Sequence, residues 1–325
     1  MSEWPTAPPE SQGLDAARLG LAADEVRTRF RSSHSLLVVR HGHLVLEEYF
    51  HGTGSEDLQR LACVSKSVIS ALVGIALAQG QIANLGDRLL DYFPEYDDAN
   101  LPAATREITL RHLLTNTTGW YWPHRRRDSG GGDEAMIERW FRSRDYVNFL
   151  LRLPVREKPG TVFNYNGACS WLLSAILDRR VPGGMLAFSE EHLFAPLGIR
   201  ATEWERDPQG QHLLGWGLRL RPRDAAKFGQ LYLQNGFWAG RQVVPAAWVA
   251  ESTQGHTGAY GYLWWLGSAD GCRRYCARGG RGSLIEVVPD LDLVVVITCQ
   301  SSTRDPSHVV NEFLVSAVRN TSSLC

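Results

Sequence analysis

The chain has 325 residues, of which 44% are hydrophobic and 21% charged, and this balance is typical of a globular protein that buries a sizeable core. Its formal net charge is -1 at pH 7, so composition gives no electrostatic sign of binding to nucleic acid or to an anionic membrane. The first residues lack a secretory pattern, and the longest apolar stretch, 67–78, is too short to span a bilayer. These features predict a cytoplasmic location.

Hydrophobic patterning predicts strands near both ends of the chain. Residues 35–40 and 44–49 are strand-like and flank the turn His41-Gly42-His43, which predicts a hairpin. Residues 284–288 and 291–298 predict two further strands. The second of these is almost continuously apolar, as a central strand is.

The middle of the chain has helical patterns. Residues 64–79 are apolar around most of the helical circumference, which predicts a helix buried inside a domain. Shorter helices are predicted at 109–114, 170–177, 224–233, 245–252 and 309–318. This order predicts a single domain, 1–325, of the α/β (α+β) class, with a sheet from about 10–60 and 255–325 and a mostly helical region over about 61–254.

The segment Cys63-Val64-Ser65-Lys66 opens the long buried helix. Residues three apart share a helix face, so Cys63 and Lys66 are predicted to be neighbours at its N-terminus. The helix dipole and an ammonium would lower the thiol pKa, whereas a neutral, desolvated lysine could act as a base. Either route gives a competent nucleophile, but a cysteine beside a lysine is often coincidental.

Two later segments supply partners for such a nucleophile. Tyr165 follows a turn and leads into a helix, where it could be a core aromatic or a phenol that carries protons to a leaving group. The glycines of Ala277-Arg278-Gly279-Gly280 would let another backbone or a substrate approach a strand edge. The N–H groups of Cys63 and Gly280 could form an oxyanion hole, although an ordinary glycine-rich hairpin fits the same residues.

In their order and spacing these segments resemble the motifs of the serine β-lactamase and penicillin-binding-protein superfamily. The S-x-x-K box corresponds to Cys63–Lys66, the tyrosine box to Tyr165 and the third box to Ala277–Gly279. Segments 108–119, 223–233 and 260–265 are similar to its class C-like esterase and amidase branch, which includes the 6-aminohexanoate-dimer hydrolases. The similarity extends from about residue 10 to about residue 318.

The resemblance implies an antiparallel sheet packed by helices plus an all-helical region, with the active site between them. It implies that the nucleophile attacks an ester or amide carbonyl, that lysine and tyrosine pass the proton, and that two backbone N–H groups hold the oxyanion. The acyl-enzyme would then be released to water or to another nucleophile. No metal or organic cofactor is implied.

The largest departure from the family pattern is Cys63, where the family carries serine. An engineered change, a natural thioester-forming enzyme and an inactive binding relative are the alternatives, and the retained Lys66 and Tyr165 argue against the last. Thioesters react relatively better with amines than oxygen esters do, so a natural Cys63 would favour amide formation. Gly167 stands where penicillin-binding proteins hold the substrate amide with asparagine, which argues against β-lactams and cell-wall peptides.

Substrate contacts are predicted from aromatic and basic residues near these motifs. The tryptophans after Gly119 suggest an aromatic wall on a pocket. Arg278 and Arg281 could bind a carboxylate or phosphate bidentately, although surface arginines are mostly just solvated. The predicted substrate-binding residues are Trp120, Trp122, His124, Asn166, Trp264, Arg278 and Arg281.

Together these observations predict an acyl-transfer enzyme with a covalent acyl-enzyme at Cys63, Lys66 as the activating base and Tyr165 as the proton shuttle. Its partners would be a small ester or amide as acyl donor, and an amine as an optional acceptor. It would be a hydrolase or an amide-forming transacylase of secondary metabolism. A catalytically impaired, engineered esterase or amidase and a non-catalytic binding protein on the same fold are the alternatives.

Overall fold

The structure is a computed structural model that describes residues 4–123, 132–200, 202–206, 212–213, 215–302 and 304–318. The strands in this part of the chain are β1 (Ser33–Arg40), β2 (His43–Tyr49), β3 (Gln59–Arg60), β4 (Glu203–Trp204), β5 (Leu218–Leu220), β6 (Phe237–Trp238), β7 (Arg241–Gln242), β8 (Trp265–Ala269), β9 (Cys272–Arg278), β10 (Leu284–Val288) and β11 (Leu293–Cys299).

The α-helices of the described residues are α1 (Ala16–Arg29), α2 (Ser65–Ala78), α3 (Leu110–Leu114), α4 (Gly132–Phe141), α5 (Tyr146–Leu151), α6 (Gly167–Arg180), α7 (Gly184–Ser189), α8 (Pro222–Leu233), α9 (Ala246–Ser252) and α10 (Ser307–Val309). A wider π-helical stretch, Val310–Val315, extends the last of these. Within the described ranges, none of the helices has the length and apolar character needed to cross a bilayer.

A six-stranded antiparallel sheet, ordered β2-β1-β11-β10-β9-β8, joins the two ends of the chain. Every residue of β10 and β11 is buried, because these strands lie inside the sheet and both their faces are covered. The predicted class, an antiparallel sheet packed by helices, is confirmed.

Side chains alternate between the two faces of this sheet, so each central strand contributes to two cores. Val294 and Val296 belong to the larger core, which includes α2, α6 and α8. Val295 and Ile297 belong to a smaller core against α1 and the C-terminal helix. The larger core lies on the face where the motif residues meet.

The prediction of a helix over 64–79 is corrected at its N-terminus. A 3-10 turn, Ala62–Val64, precedes α2, so Cys63 lies on this turn and not within the α-helix. A second, three-stranded sheet ordered β3-β5-β4 leads into the turn. Its strands have two or three residues each, too few for a period to be visible in the sequence.

Candidate active site

Cys63 is presented by the turn between β3 and α2. The Leu61 N–H donates to the Leu218 carbonyl at 3.0 Å, which ties the turn to β5. Ala62 has a φ of 49°, a left-handed conformation that costs a non-glycine residue roughly 1–2 kcal/mol. Packing holds it there, because Gly279 lets the backbone approach so closely that a Cβ would lie 2.8 Å from the Leu61 oxygen. Cys63 thereby remains partly exposed between buried neighbours.

The surroundings of Cys63 favour its thiolate. Burial by itself would raise the thiol pKa, but the positive charge of Lys66 opposes it. Hydrogen bonds from the Tyr165 hydroxyl, the Lys66 side chain and the Gly280 backbone N–H act in the same direction, and together they lower the pKa of Cys63. A lowered pKa increases the fraction of thiolate, which is the reactive form of a cysteine.

Lys66 occupies a cage that suits an ammonium. Its Nζ donates to the Gly215 carbonyl at 3.3 Å and lies 5.4 Å from the ring centre of Tyr165 and 5.6 Å from that of Trp216. Carbonyl oxygens and aromatic faces both stabilise a positive charge.

Tyr165 lies on the extended segment just before α6 and is held among aromatic rings. Its ring centre is 5.3 Å from that of Trp265 and 6.1 Å from that of Tyr260, which meets it edge-on at 84°. Phe163 packs against Tyr260 at 5.0 Å. These rings form a wall beside Cys63, whose thiol Tyr165 contacts.

Three segments distant in sequence therefore converge at one sulfur atom. The thiol of Cys63 meets the side chains of Lys66 and Tyr165 and the N–H of Gly280. The profile of the beta-lactamase family matches residues 19–319. The chain belongs to the beta-lactamase family.

Relatives of this beta-lactamase-family chain are named as hydrolases. It is 26% identical to the 6-aminohexanoate-dimer hydrolase of Paenarthrobacter ureafaciens in an alignment of 331 positions that covers 91% of this chain and 79% of that protein. The chain is accordingly an enzyme of the beta-lactamase-like hydrolase family, in which amidases and esterases are its neighbours.

Solved structures share its fold. A protein of Bacillus anthracis to which 6-aminohexanoate-dimer hydrolase activity is ascribed superposes with a TM-score of 0.80 at 20% identity, covering 100% of this chain and 89% of that one. EstCE1, described as a hydrolase with promiscuous acyltransferase activity, gives 0.75 at 17% identity, with coverages of 95% and 99%. A D-stereospecific amidohydrolase from Streptomyces gives 0.72 at 17% identity, with coverages of 93% and 99%.

The tryptophans predicted to bind substrate lie in the core of this beta-lactamase-family enzyme. Trp120 and Trp122 are buried, and Trp264 is fully buried with its ring 4.4 Å from that of Tyr232. Successive side chains point in opposite directions along an extended segment, so Trp265, and not Trp264, contacts Tyr165. The structure does not place Trp264 on the wall beside Cys63.

The polar residues predicted to bind substrate differ in their exposure and in the partners that their side chains already have within the protein. Asn166 caps α6, since its Oδ1 accepts the Cys169 N–H at 3.0 Å, and its Nδ2 donates to the Asn164 carbonyl at 3.1 Å. Arg278 forms an ion pair with Asp305. Arg281 is exposed next to Gly280. His124 lies outside the described residues, and substrate binding by this whole set stays a prediction.

Trp216 is a site residue that the sequence analysis missed. A Cβ on Gly167 would lie 2.9 Å from the Trp216 ring, so the indole occupies the space that an asparagine at position 167 would need. The departure at Gly167 therefore has a partner 49 positions along the chain, which no local pattern could indicate. Asn116 and Tyr260 were missed for the same reason.

Proposed function

We propose that this chain forms a covalent acyl-enzyme at Cys63 from a small-molecule ester or amide and passes the acyl group to water or to an amine. The observation that carries the proposal is the lowered pKa of a partly exposed Cys63 thiol among Lys66, Tyr165 and the Gly280 N–H. A binding protein would have no need to prepare a thiolate in this way.

In the acylation step, the Cys63 thiolate attacks the carbonyl carbon and the π electrons move to the oxygen. The N–H groups of Cys63 and Gly280 hold the resulting oxyanion. When the tetrahedral intermediate collapses, the bond to the leaving group breaks, and Tyr165 delivers a proton to that group while Lys66 replenishes the phenol. The product is a thioester at Cys63.

In the deacylation step, water or an amine attacks the thioester carbonyl. Tyr165 returns its own proton to the neutral Lys66 and accepts the proton of the attacking group. The Cys63 thiolate then leaves, restored to its pair with the charged Lys66. Thioesters are relatively more reactive toward amines than oxygen esters are, so the cysteine favours aminolysis over hydrolysis. We therefore propose that the enzyme is a transacylase of secondary metabolism in the cytoplasm, in which the preference of the thioester for amines leads to amide formation.

The aromatic wall favours an apolar acyl group. Phe163, Tyr165, Trp216 and Trp265 are all partly exposed. The rings of Tyr165 and Trp216 lie over Lys66, and Trp265 packs against Tyr165 and Phe163. Rings of this kind bind apolar or aromatic acyl chains and exclude water from the thioester. Arg281, exposed next to Gly280, would suit an acyl donor with an anionic group at its distal end.

Intact-mass measurement after incubation with a panel of activated esters and thioesters tests the proposal. We expect a single acyl adduct that is lost in Cys63→Ala and retained in Cys276→Ala, which removes a buried thiol from the opposite face of the sheet. No adduct with any member of the panel would contradict it and favour a binding protein.

Adding an amine acceptor distinguishes the two fates of the thioester. We expect faster turnover and an amide product for the native chain. If Cys63→Ser instead gives a much faster hydrolase that ignores the amine, the enzyme is a hydrolase that its cysteine impairs.

A further inference from the structure

Asn116 contacts both neighbours of Tyr165. It follows α3, is fully buried and has a φ of 54°, the left-handed region that asparagine tolerates better than most residues. Its carbonyl accepts the Asn164 N–H at 2.8 Å, and its Oδ1 accepts the Asn166 N–H at 3.1 Å. One residue thus anchors the chain immediately before and immediately after Tyr165.

The remaining polar atom of this side chain reaches the ring that packs on Tyr165. The Asn116 Nδ2 donates to the Tyr260 hydroxyl at 3.4 Å, and both groups are buried. The Tyr260 ring meets Tyr165 edge-on and contacts Trp265 at 4.8 Å. Asn116 therefore restrains Tyr165 through its backbone and through its packing partner.

These restraints matter because Tyr165 has no regular secondary structure of its own. It lies between the turn at Gly160 and the first turn of α6, and Asn166 is already used as the cap of that helix. A phenol on such a segment keeps its position only if neighbouring residues are held from outside. Asn116 supplies that support from a different segment.

We propose that Asn116 is a positioning residue that holds the Tyr165 hydroxyl against the Cys63 sulfur. It has no contact with the reacting atoms in this role and acts through Tyr165. The inference deepens the proposed function and rests on it for its catalytic meaning, but the position of the phenol can be measured without any acyl donor.

The test is the pH dependence of Cys63 alkylation by iodoacetamide, followed by mass spectrometry. Asn116→Gly keeps the left-handed backbone and the carbonyl and deletes both side-chain bonds. Because the Tyr165 hydrogen bond lowers the thiol pKa, losing it must move the alkylation midpoint to higher pH. We expect Tyr165→Phe to cause this shift in full and Asn116→Gly to cause at least half of it.

A purely structural role predicts a different result. Asn148→Gly removes a side chain of α5 whose Oδ1 accepts a hydrogen bond from Arg152, away from the three site segments, and is expected to lower stability without moving the midpoint. If Asn116→Gly behaves like Asn148→Gly while Tyr165→Phe shifts the midpoint, the proposal is overturned. It is also overturned if Tyr165→Phe causes no shift, since the contact to be positioned is then absent.

Tyr260→Phe covers the case in which Asn116→Gly does not fold. It deletes only the acceptor of the Asn116 Nδ2, and we expect a smaller upward shift of the same midpoint. An unchanged midpoint in Tyr260→Phe would then decide against the proposal. Where an acyl donor is found, Asn116→Gly should lower kcat and leave KM within about twofold. Failure of every ester to acylate Cys63 would overturn the proposed function and leave the alkylation result intact.

Discussion

Cys63 and Cys169 both interact with the charge of Lys66, but the thiol pKa of Cys63 is lowered and that of Cys169 is raised. At both sulfurs the Lys66 charge opposes the rise in pKa that burial causes. Burial nevertheless raises the pKa of Cys169 to about 12, with only weak opposition from Asn166, Thr118 and Lys66. At Cys63 the opposing contacts exceed the effect of burial, so the pKa falls.

The difference shows that a nearby lysine does not by itself lower a thiol pKa. Cys63 is partly exposed and receives hydrogen bonds from a phenol and a backbone N–H in addition to the ammonium. Cys169 lies in the first turn of α6 with no exposed surface. We therefore expect the arrangement of donors around each sulfur to make Cys63 reactive and Cys169 inert.

The largest expected effect is a difference in labelling between these two thiols. In the native protein at pH 7, iodoacetamide should alkylate Cys63 at least about a hundredfold faster than Cys169, because a thiol with a pKa of about 12 holds almost no thiolate there. Peptide mapping after timed quenching measures both rates.

The pH dependence of that labelling has a definite sign. The Cys63 rate should fall as pH is lowered through a midpoint below the ordinary value of about 8.5, while Cys169 stays unlabelled up to about pH 10. Denaturant should abolish the difference. Equal rates in the folded protein would break the comparison, since the two sites would then not differ in thiolate content or access.

Lys66→Met should have the next largest effect. Losing the ammonium removes the main interaction that opposes burial at Cys63, so the midpoint should rise by one pH unit or more and alkylation at pH 7 should slow by about tenfold or more. Lys158→Met, a change at an exposed lysine, is the matched control and should leave the rate unchanged. An unaltered rate in Lys66→Met would mean that the hydrogen bonds from Tyr165 and Gly280 are sufficient to lower the Cys63 pKa without the ammonium.

Much of the fold could be predicted where patterns are long and local. The strand over 284–288 is confirmed to the residue, and α8 begins two residues before the predicted start because Pro222 suits a first helical position. The 3-10 turn at Cys63 could not be predicted, because it depends on Leu218 and Gly279, which are remote in sequence.

The residues of the candidate site likewise differ in whether a local sequence pattern could predict them. Cys63, Lys66, Tyr165 and Gly280 stand in motifs with a fixed order, so sequence alone could nominate them together. Asn116 has no such motif, since its partners become neighbours only when the chain folds. The burial of Trp264 could not be predicted either, because composition nominates a tryptophan without indicating which way its ring points.

Gly167→Asn tests whether the cage of carbonyl and aromatic groups around Lys66 depends on the position of Trp216. The added side chain would collide with the indole that lies over Lys66, so overpacking should destabilise the protein by about 1–3 kcal/mol. Urea unfolding measures the change, and Gly167→Ala is the smaller control. In a Trp216→Gly background, Gly167→Asn should cost less than it does in the native chain; an equal cost in both backgrounds would show that the two positions do not compete for space.

Cys169→Ala is expected to have the smallest effect and gives the strictest test of the comparison. Deleting a buried sulfur should cost about 1 kcal/mol of unfolding free energy, similar to removing one buried methylene. The alkylation midpoint of Cys63 should not change, because the Cys169 thiol is neutral throughout that titration and therefore does not form an ion pair with Lys66. Cys169→Ser, which preserves a side-chain donor to its buried neighbours, is the control for packing. A shifted midpoint in Cys169→Ala but not in Cys169→Ser would mean that the buried thiol takes part in the hydrogen bonding around Lys66, and the two cysteines would then have to be treated as one coupled site.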